Sequence, residues 1–504
     1  MDNFVPFEET TVKSKKYIAS RIVLTALMVF GFLGLFSALW YASIFGDIGV
    51  ESVVFTVLAG FAGVQGGLVG SWVLNALLPS ILLTAGLFYL LLLLPYILYQ
   101  GRDEERFARN RKVSAVLAFL IFFATLSSAI HSVGLDSFAV NLFSETKLYE
   151  EEYGDPEKTK VSFPEKKRNL VYIYLESMET TFLSQELGGG LKENAIPELY
   201  EMAKENVNFS HNDSVGGGRT NFGSTWTASA MVAQTAGIPM RSPTSVKAIA
   251  GDEYYDGLVS LTDILHQNGY NQALMVGSDA EYGGRKNYYM QHGVENVYDL
   301  FTAYDDSVVP QGYFEWWGME DKYLYEYAKQ KITEMANKDE PFAFTMLTVD
   351  THHVDGYFCS ECSNEFENQY TNVIRCSSRQ VSEFVNWLKE QDFYEDTVVV
   401  ISGDHYSMDN QYIKQNVKRG YTRRVYNCFI NAVPSAENSK NREFLTLDMF
   451  PTTLAAMGCR IEGERLGLGT NLFSKKQTIV EKYGYKYIDN ELQKRSDFYT
   501  REFD

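Results

Sequence analysis

Apolar residues are unevenly spread along the chain, and their spacing changes character twice. Three runs in the first quarter, Ile22–Tyr41, Val73–Tyr99 and Val113–Val133, are each long enough to cross a hydrocarbon core of roughly 30 Å. They predict three transmembrane helices, since core helices of that length carry charge more often than these do. A further apolar stretch, Val53–Val69, is glycine-rich. Its length fits a re-entrant or interfacial element as well as a span.

From Asn169 onward the runs become short. Leu170–Leu175, Ala273–Val276, Pro341–Val349 and Thr397–Ile401 predict strands. Between them Leu258–Gln267, Asp321–Asn337 and Ser377–Gln391 predict helices; the last places Val381, Phe384, Val385 and Leu388 on one face. Short, fully apolar strands alternating with helices imply an α/β domain with a mostly parallel central sheet covered on both faces. Sites in such sheets lie beyond the carboxyl ends of the strands.

Charge then orients the membrane segments. No Lys or Arg occurs between Arg21 and Arg102, and the only charges there are Asp47 and Glu51. Basic residues flank the gap: Lys13, Lys15, Lys16 and Arg21 before it, and Arg102, Arg106, Arg109, Arg111 and Lys112 after it. Both clusters belong in the cytoplasm by the positive-inside rule. An even number of crossings must therefore separate them, so Val53–Val69 is not expected to span, and everything after Val133 is expected outside. No small-residue cleavage site follows the first run, which reads as a retained anchor.

The 504 residues are too many for one typical domain. They divide into a membrane anchor (1–136), a connector (137–168) whose residues 145–168 are highly charged and hold two prolines, an α/β domain (169–475) and a C-terminal tail (476–504). A net charge of −19 argues against nucleic acid as a partner. The five cysteines, Cys359, Cys362, Cys376, Cys428 and Cys459, all lie in the expected outside portion. Cys359-x-x-Cys362 lacks the second pair that would complete a zinc knuckle. A disulfide to Cys376 is the expectation in an oxidising compartment.

Candidate chemistry gathers at the strand ends. The first strand runs into Glu176-Ser177, the third into Asp350-Thr351-His352-His353, and the last into Gly403-Asp404-His405. The loop Gly216-Gly217-Gly218 leads to Ser224-Thr225-Trp226-Thr227 and a predicted helix, Ala228–Gln234. Thr227 would open that helix, where the dipole and free N–H groups favour an anion. Singly, each signal is weak: a Glu after a strand is commonly a solvated loop residue, and a Thr opening a helix is commonly a cap. Together they supply two carboxylates, an imidazole and a hydroxyl, a donor set for a borderline divalent cation such as Mn²⁺ or Zn²⁺. A metal or base is also what a threonine hydroxyl needs to become nucleophilic.

The order NLVYIYLES, WTASAMVAQTAGIP, LTVDTHH and VVVISGDH resembles the phosphoglycerol transferases of the alkaline phosphatase/sulfatase superfamily. Lipoteichoic acid synthases share the LES, HH and GDH elements. The style of DTHHVDG, GDHYSMDN and LDMFPT is closer to the phosphoglycerol transferase I group, which modifies osmoregulated periplasmic glucans. The likeness covers residues 169–475. It implies Glu176, Thr227, Asp404 and His405 as ligands of one divalent ion, Mn²⁺ by preference with Mg²⁺ or Zn²⁺ open, and Thr227 as nucleophile. Thr220, in a Gly-Arg-Thr sequence similar to the Gly-Lys-Thr of lipoteichoic acid synthases, is the rival. Thr227 is preferred because small residues after it open a helix before Ile238-Pro239.

The resemblance further implies His352 as a phosphate contact and catalytic group, with His353 second to it. Asp279 and Arg285 stand in the segment that replaces the family's substrate-head-group loop. That segment departs from the His…Trp-x-Arg pattern of lipoteichoic acid synthases, which puts polymerisation of lipoteichoic acid in doubt. The implied reaction transfers phosphoglycerol from phosphatidylglycerol to an envelope glycan or glycolipid, at a multi-pass cell-membrane protein whose catalytic domain faces outward. A phosphoethanolamine transferase, another phosphodiester or sulfate-ester hydrolase of the same superfamily, and an inactive anchored binding module are the alternatives. No C/S-x-P-x-R sequence is present, which argues against sulfate-ester hydrolysis.

Overall fold

The computed structural model describes residues 7–45, 66–100, 102–241, 255, 257–435 and 437–503. Most of the Val53–Val69 stretch lies outside the described residues. The chain separates into two compact units, one built on the N-terminal apolar helices and one containing Asn141–Asp504.

In the first unit Tyr17–Ile44, Val69–Tyr99 and Glu104–Ser132 are long and apolar enough to cross a membrane. The second of them includes π-helical turns at Val73–Leu77 and Phe88–Leu93, each followed closely by a proline, Pro79 or Pro95. The wider turns accommodate the N–H that each proline lacks. At one end of the bundle the guanidinium groups of Arg21 and Arg111 lie over the Tyr17 ring, at 4.4 and 5.2 Å, and Tyr96 stacks on the same ring. Elsewhere the Trp40 indole donates to Ser71 Oγ and the Trp72 indole to Ser37 Oγ, both at 3.0 Å. Members of both basic clusters, Arg21 and Arg111, therefore share one end.

In the second unit the main sheet holds β1 (Asn169–Leu175), β2 (Gly217–Gly218), β3 (Asn271–Val276), β4 (Asn296–Tyr298), β5 (Phe342–Leu347), β6 (Thr397–Gly403) and β7 (Val425–Ile430). Their spatial order is β2-β7-β6-β1-β5-β3-β4. The pairs among β6, β1, β5, β3 and β4 are parallel, and β7 and β2 add an antiparallel edge. Leu170, Tyr172 and Tyr174 of β1 enter one core while Val171, Ile173 and Leu175 enter the other. Burial on both faces is why these strands read as continuous apolar runs.

The helices used below are α1 (Thr227–Ala236), α2 (Leu261–Gln267), α3 (Arg285–Gln291), α4 (Asp321–Ala336) and α5 (Gln369–Lys389). α5 begins well before the expected Ser377, because Asn368 caps it by accepting from the Thr371 N–H at 3.1 Å. The strands β4 and β7 were not apparent as strands in the sequence. Residues 145–168 fold against this unit: Leu148 and Tyr149 are buried, and Val161–Ser162 pairs with Arg460–Ile461. Glu152 accepts from Lys482 Nζ at 2.6 Å and from the Tyr483 hydroxyl at 2.7 Å, and pairs with Arg465. All five cysteines are free thiols, so the expected disulfide to Cys376 is not formed. Cys359 instead lies near two sulfurs, 3.6 Å from Cys362 and 3.9 Å from Cys376, beyond bonding distance to either.

The residues after 476 also belong to the core. Ile479, Ile488, Leu492 and Tyr499 are completely buried, and at about 1.5–3 kcal/mol each they contribute an amount comparable to a domain's whole net stability. A chain ending at residue 476 should therefore fail to fold its second unit, read by thermal unfolding and protease resistance after expression in membranes. An unchanged unfolding temperature would show that this segment is dispensable.

Candidate metal centre

β1 and β6 lie side by side in parallel, with Leu175 opposite Gly403. The next residues, Glu176 and Asp404-His405, consequently leave the sheet together at its carboxyl edge. A Cβ at Gly403 would stand 1.9 Å from the Met178 carbonyl oxygen, so only glycine allows the two chain segments to pass. Ser177 adopts a left-handed φ of 56°, a conformation that costs a non-glycine residue about 1–3 kcal/mol. In that position its N–H donates to Asp404 Oδ1 at 2.8 Å and its hydroxyl to Glu176 Oε1 at 2.6 Å.

Thr227 is the first residue of α1. The helix is clamped to the strand ends by Gln234, whose amide donates to the carbonyls of Gly403 (3.0 Å) and Asp404 (3.2 Å) and accepts from the Tyr172 hydroxyl (2.8 Å). Thr227 Oγ1 consequently stands 3.2 Å from Glu176 Oε2 and 3.3 Å from His405 Nε2. His405 Nε2 is 3.3 Å from Asp404 Oδ2 and 3.6 Å from Glu176 Oε1. The ring's other nitrogen, Nδ1, faces the Tyr406 carbonyl at 2.8 Å. That contact assigns the proton to Nδ1 and leaves the Nε2 lone pair aimed into the cluster.

The donor set fits a divalent cation. Glu176, Asp404 and His405 are buried, their ligand atoms lie within 4.8 Å of one another, and Asp404 Oδ2 is buried with no hydrogen-bond partner. An orphaned carboxylate oxygen among oxygen and imidazole donors is an arrangement that a cation neutralises. The electrostatics point the same way. Burial raises the Asp404 carboxyl well above its ordinary value, and the Glu176 charge adds to that. Burial also works to raise Glu176, but the neighbouring His405 and His352 outweigh it and hold that carboxyl low.

The remaining residues singled out in the sequence surround this cluster unevenly. His352 packs on the Trp317 ring at 4.3 Å and on His353 at 4.5 Å, and its Nδ1 lies 2.9 Å from the His353 carbonyl. Burial lowers its pKa, as it does that of His353. Arg285 opens α3 and is buried; its Nη2 donates to Ser278 Oγ (2.9 Å) and the Asp279 carbonyl (2.6 Å), and its Nε to the Tyr282 carbonyl (3.0 Å). The Asp279 carboxylate accepts from the Glu281 N–H at 2.8 Å, so it serves the local turn. Asp350 is directed to Asp321 of α4, whose N–H it accepts at 3.2 Å. The Thr220 N–H donates to the Tyr406 hydroxyl at 3.2 Å, and its carbonyl accepts from the Tyr485 hydroxyl at 3.1 Å.

Three contributors escaped the sequence reading. Gln234 sits two turns along α1, Trp317 comes from a loop distant in sequence, and Ser177 acts through its backbone conformation. The adjacent Trp316-Trp317 pair was the one available signal.

A family model described as Sulfatase matches residues 168–459. Phosphoglycerol transferase I of Escherichia coli is 31% identical over 265 residues, covering 51% of this chain and 33% of that protein. Phosphoglycerol transferase I of Shigella boydii matches to the same extent, so the chain spans about a third of the length of these curated relatives. Among solved structures, the lipoteichoic acid synthase LtaP from Listeria monocytogenes is 18% identical with a TM-score of 0.49, over 63% of this chain and 79% of that one. The lipooligosaccharide phosphoethanolamine transferase A from Neisseria meningitidis is 15% identical with a TM-score of 0.48, over 87% and 84%.

The centre should bind one Mn²⁺ per chain in calorimetric titration, and Glu176→Gln and Asp404→Asn should each abolish it. Because Asp404→Asn also removes a buried like-charge contact, the metal-free variant should unfold at a higher temperature than metal-free wild type. Undiminished Mn²⁺ binding by both variants would reject the centre.

Proposed function

The chain belongs to the sulfatase family, and from that premise we propose that it is a membrane-anchored, metal-dependent transferase moving phosphoglycerol from phosphatidylglycerol to a hydroxyl of an envelope glycan or glycolipid. The observation that supports this reading is the Thr227 hydroxyl, held at a helix N-terminus within 3.3 Å of both Glu176 and His405. Phosphoglycerol transferase I, the name carried by the curated relatives, supplies the transferred group. A divalent ion held by Glu176, Asp404, His405 and Thr227, with Mn²⁺ preferred, would supply Lewis acidity, lowering the pKa of the threonine hydroxyl and polarising a phosphoryl oxygen.

The protein's own groups account for the rest. Thr227 Oγ1 attacks phosphorus, and the bond from phosphorus to the diacylglycerol oxygen breaks. The N–H groups at the start of α1 face the charge that develops on the phosphoryl oxygens. The threonine proton passes to solvent as the hydroxyl is activated, and His352 Nε2, left available because Nδ1 lies on the His353 carbonyl, relays a proton from solvent to the departing diacylglycerol oxygen. In the second half the acceptor hydroxyl attacks the glycerophospho-threonine; its proton follows the reverse path to Thr227, giving ping-pong kinetics. Arg285, fixed by its bonds to Ser278 and the Asp279 carbonyl, is a candidate phosphate contact, with His353 packing behind His352. Tethering beside the bilayer raises the effective concentration of the lipid donor.

Thr227→Ala should yield a folded, inactive protein, since losing a helix-terminal hydroxyl costs only about 0.5–2 kcal/mol. Wild type incubated with a phosphatidylglycerol analogue should carry a glycerophosphate adduct on the peptide containing Thr227, read by mass spectrometry. An adduct on Thr220, or full activity in Thr227→Ala, would overturn the assignment. The outward orientation has its own test: protease added to intact cells or protoplasts should release the second unit. Cleavage confined to Arg102–Lys112 would invert the topology.

A further inference from the structure

Apart from the centre at the sheet edge, one other cluster of ligating side chains stands out among the described residues. Cys359 and Cys362 lie in the loop that follows the histidine pair, and Cys376 lies on α5. The three sulfurs are within 4.8 Å of one another, with Cys359 3.6 Å from Cys362 and 3.9 Å from Cys376. Two thiolates bound at about 2.3 Å to a common tetrahedral ion stand about 3.8 Å apart, so both separations match the edges of such a tetrahedron. A disulfide would use two of the three sulfurs and leave the third beside it unused.

A second, independent observation concerns Gln380, one helical turn after Cys376 on the same face of α5. Its side chain is more than nine-tenths buried, and its amide faces the sulfurs, with Nε2 at 3.2 Å from Cys376 Sγ and 3.7 Å from Cys359 Sγ. Its Oε1 is buried without a hydrogen-bond partner. Exchanging the amide's two ends, a choice that hydrogen bonding alone decides, turns that oxygen toward the sulfurs as a fourth donor. Arg379 Nη2, 3.5 Å from Cys376 Sγ, offsets the excess negative charge of three thiolates on a dication.

We propose that Cys359, Cys362 and Cys376, completed by Gln380, form a zinc site separate from the centre at Glu176, Asp404 and His405. Three thiol protons pass to solvent as the ion binds, and soft thiolates select zinc over the hard cations that carboxylates prefer. The ion joins the loop after His352-His353 to α5, a role the loop also serves through the Glu365 and Phe366 N–H groups, which both donate to Asn372 Oδ1. The site is therefore structural, and it stands whether or not the transferase reading holds.

The test uses the full chain purified in mild detergent without chelator. Elemental analysis should find one zinc in wild type and in Asp404→Ala that is lost in Cys362→Ser. Cobalt(II) reconstitution of wild type should give a thiolate-to-cobalt charge-transfer band, which an oxygen- and imidazole-lined centre cannot produce. Equal zinc in wild type and Cys362→Ser, absence of the cobalt band, or a protein mass two hydrogens short from a disulfide among the three cysteines would each overturn the proposal.

Discussion

Two carboxylates held side by side in a dry environment are the constraint around which the second unit is arranged. Parallel pairing of β1 with β6 sets Glu176 and Asp404 at one level, and burial on both faces of the sheet removes the water that would otherwise separate their charges. Such a pair is costly unless a positive charge or a set of donors compensates it. The surroundings supply part of that compensation: the Ser177 N–H and hydroxyl, the His405 N–H on Asp404 Oδ1 at 2.7 Å, and the imidazole itself. Asp404 Oδ2 is left over, and it is the oxygen that a cation would satisfy.

Holding these groups in register requires support from several layers. Gln234 ties α1 to the end of β6, and the Thr351 hydroxyl donates to the Glu176 carbonyl at 2.6 Å while Thr348 Oγ1 accepts from the Glu176 N–H at 3.0 Å. The ends of β1, β5 and β6 are thus stitched to one another by side chains as well as by the sheet ladder. A second buried pair stands behind them, where Asp321 accepts from the N–H groups of Val349 and Asp350. Burial pushes the Asp321 carboxyl up toward neutrality. The proposed threonine chemistry needs this rigidity, because a nucleophile contributes only while its oxygen stays within reach of the groups that activate it.

Much of this was legible in the sequence, and the reason differs from element to element. The apolar runs of β1, β3, β5 and β6 announce buried parallel strands because both of their faces are covered. β7 and β4 gave no such signal, being an antiparallel strand whose apolar run is broken by Asn427 and a three-residue strand whose pairing depends on tertiary partners. The charged segment 145–168 looked like a spacer, but Glu152 is held in the fold by Arg465 and Lys482, residues more than three hundred positions later. The cysteines are the clearest divergence: their spacing is compatible with a disulfide or a metal, and only the placement of α5 against the loop brings three sulfurs and Gln380 together.

By itself the sequence determined the three apolar helices, the α/β character of the rest and the residue types available at the strand ends, because hydrophobic periodicity and local turn chemistry are properties of neighbouring residues. Only the tertiary structure decided that Glu176, Thr227, Asp404 and His405 meet within a few ångströms, that Asp279 turns to a local bond and Asp350 to Asp321 of α4, and that Trp317 packs on His352. Those outcomes follow from strand order and helix register, which no local window contains.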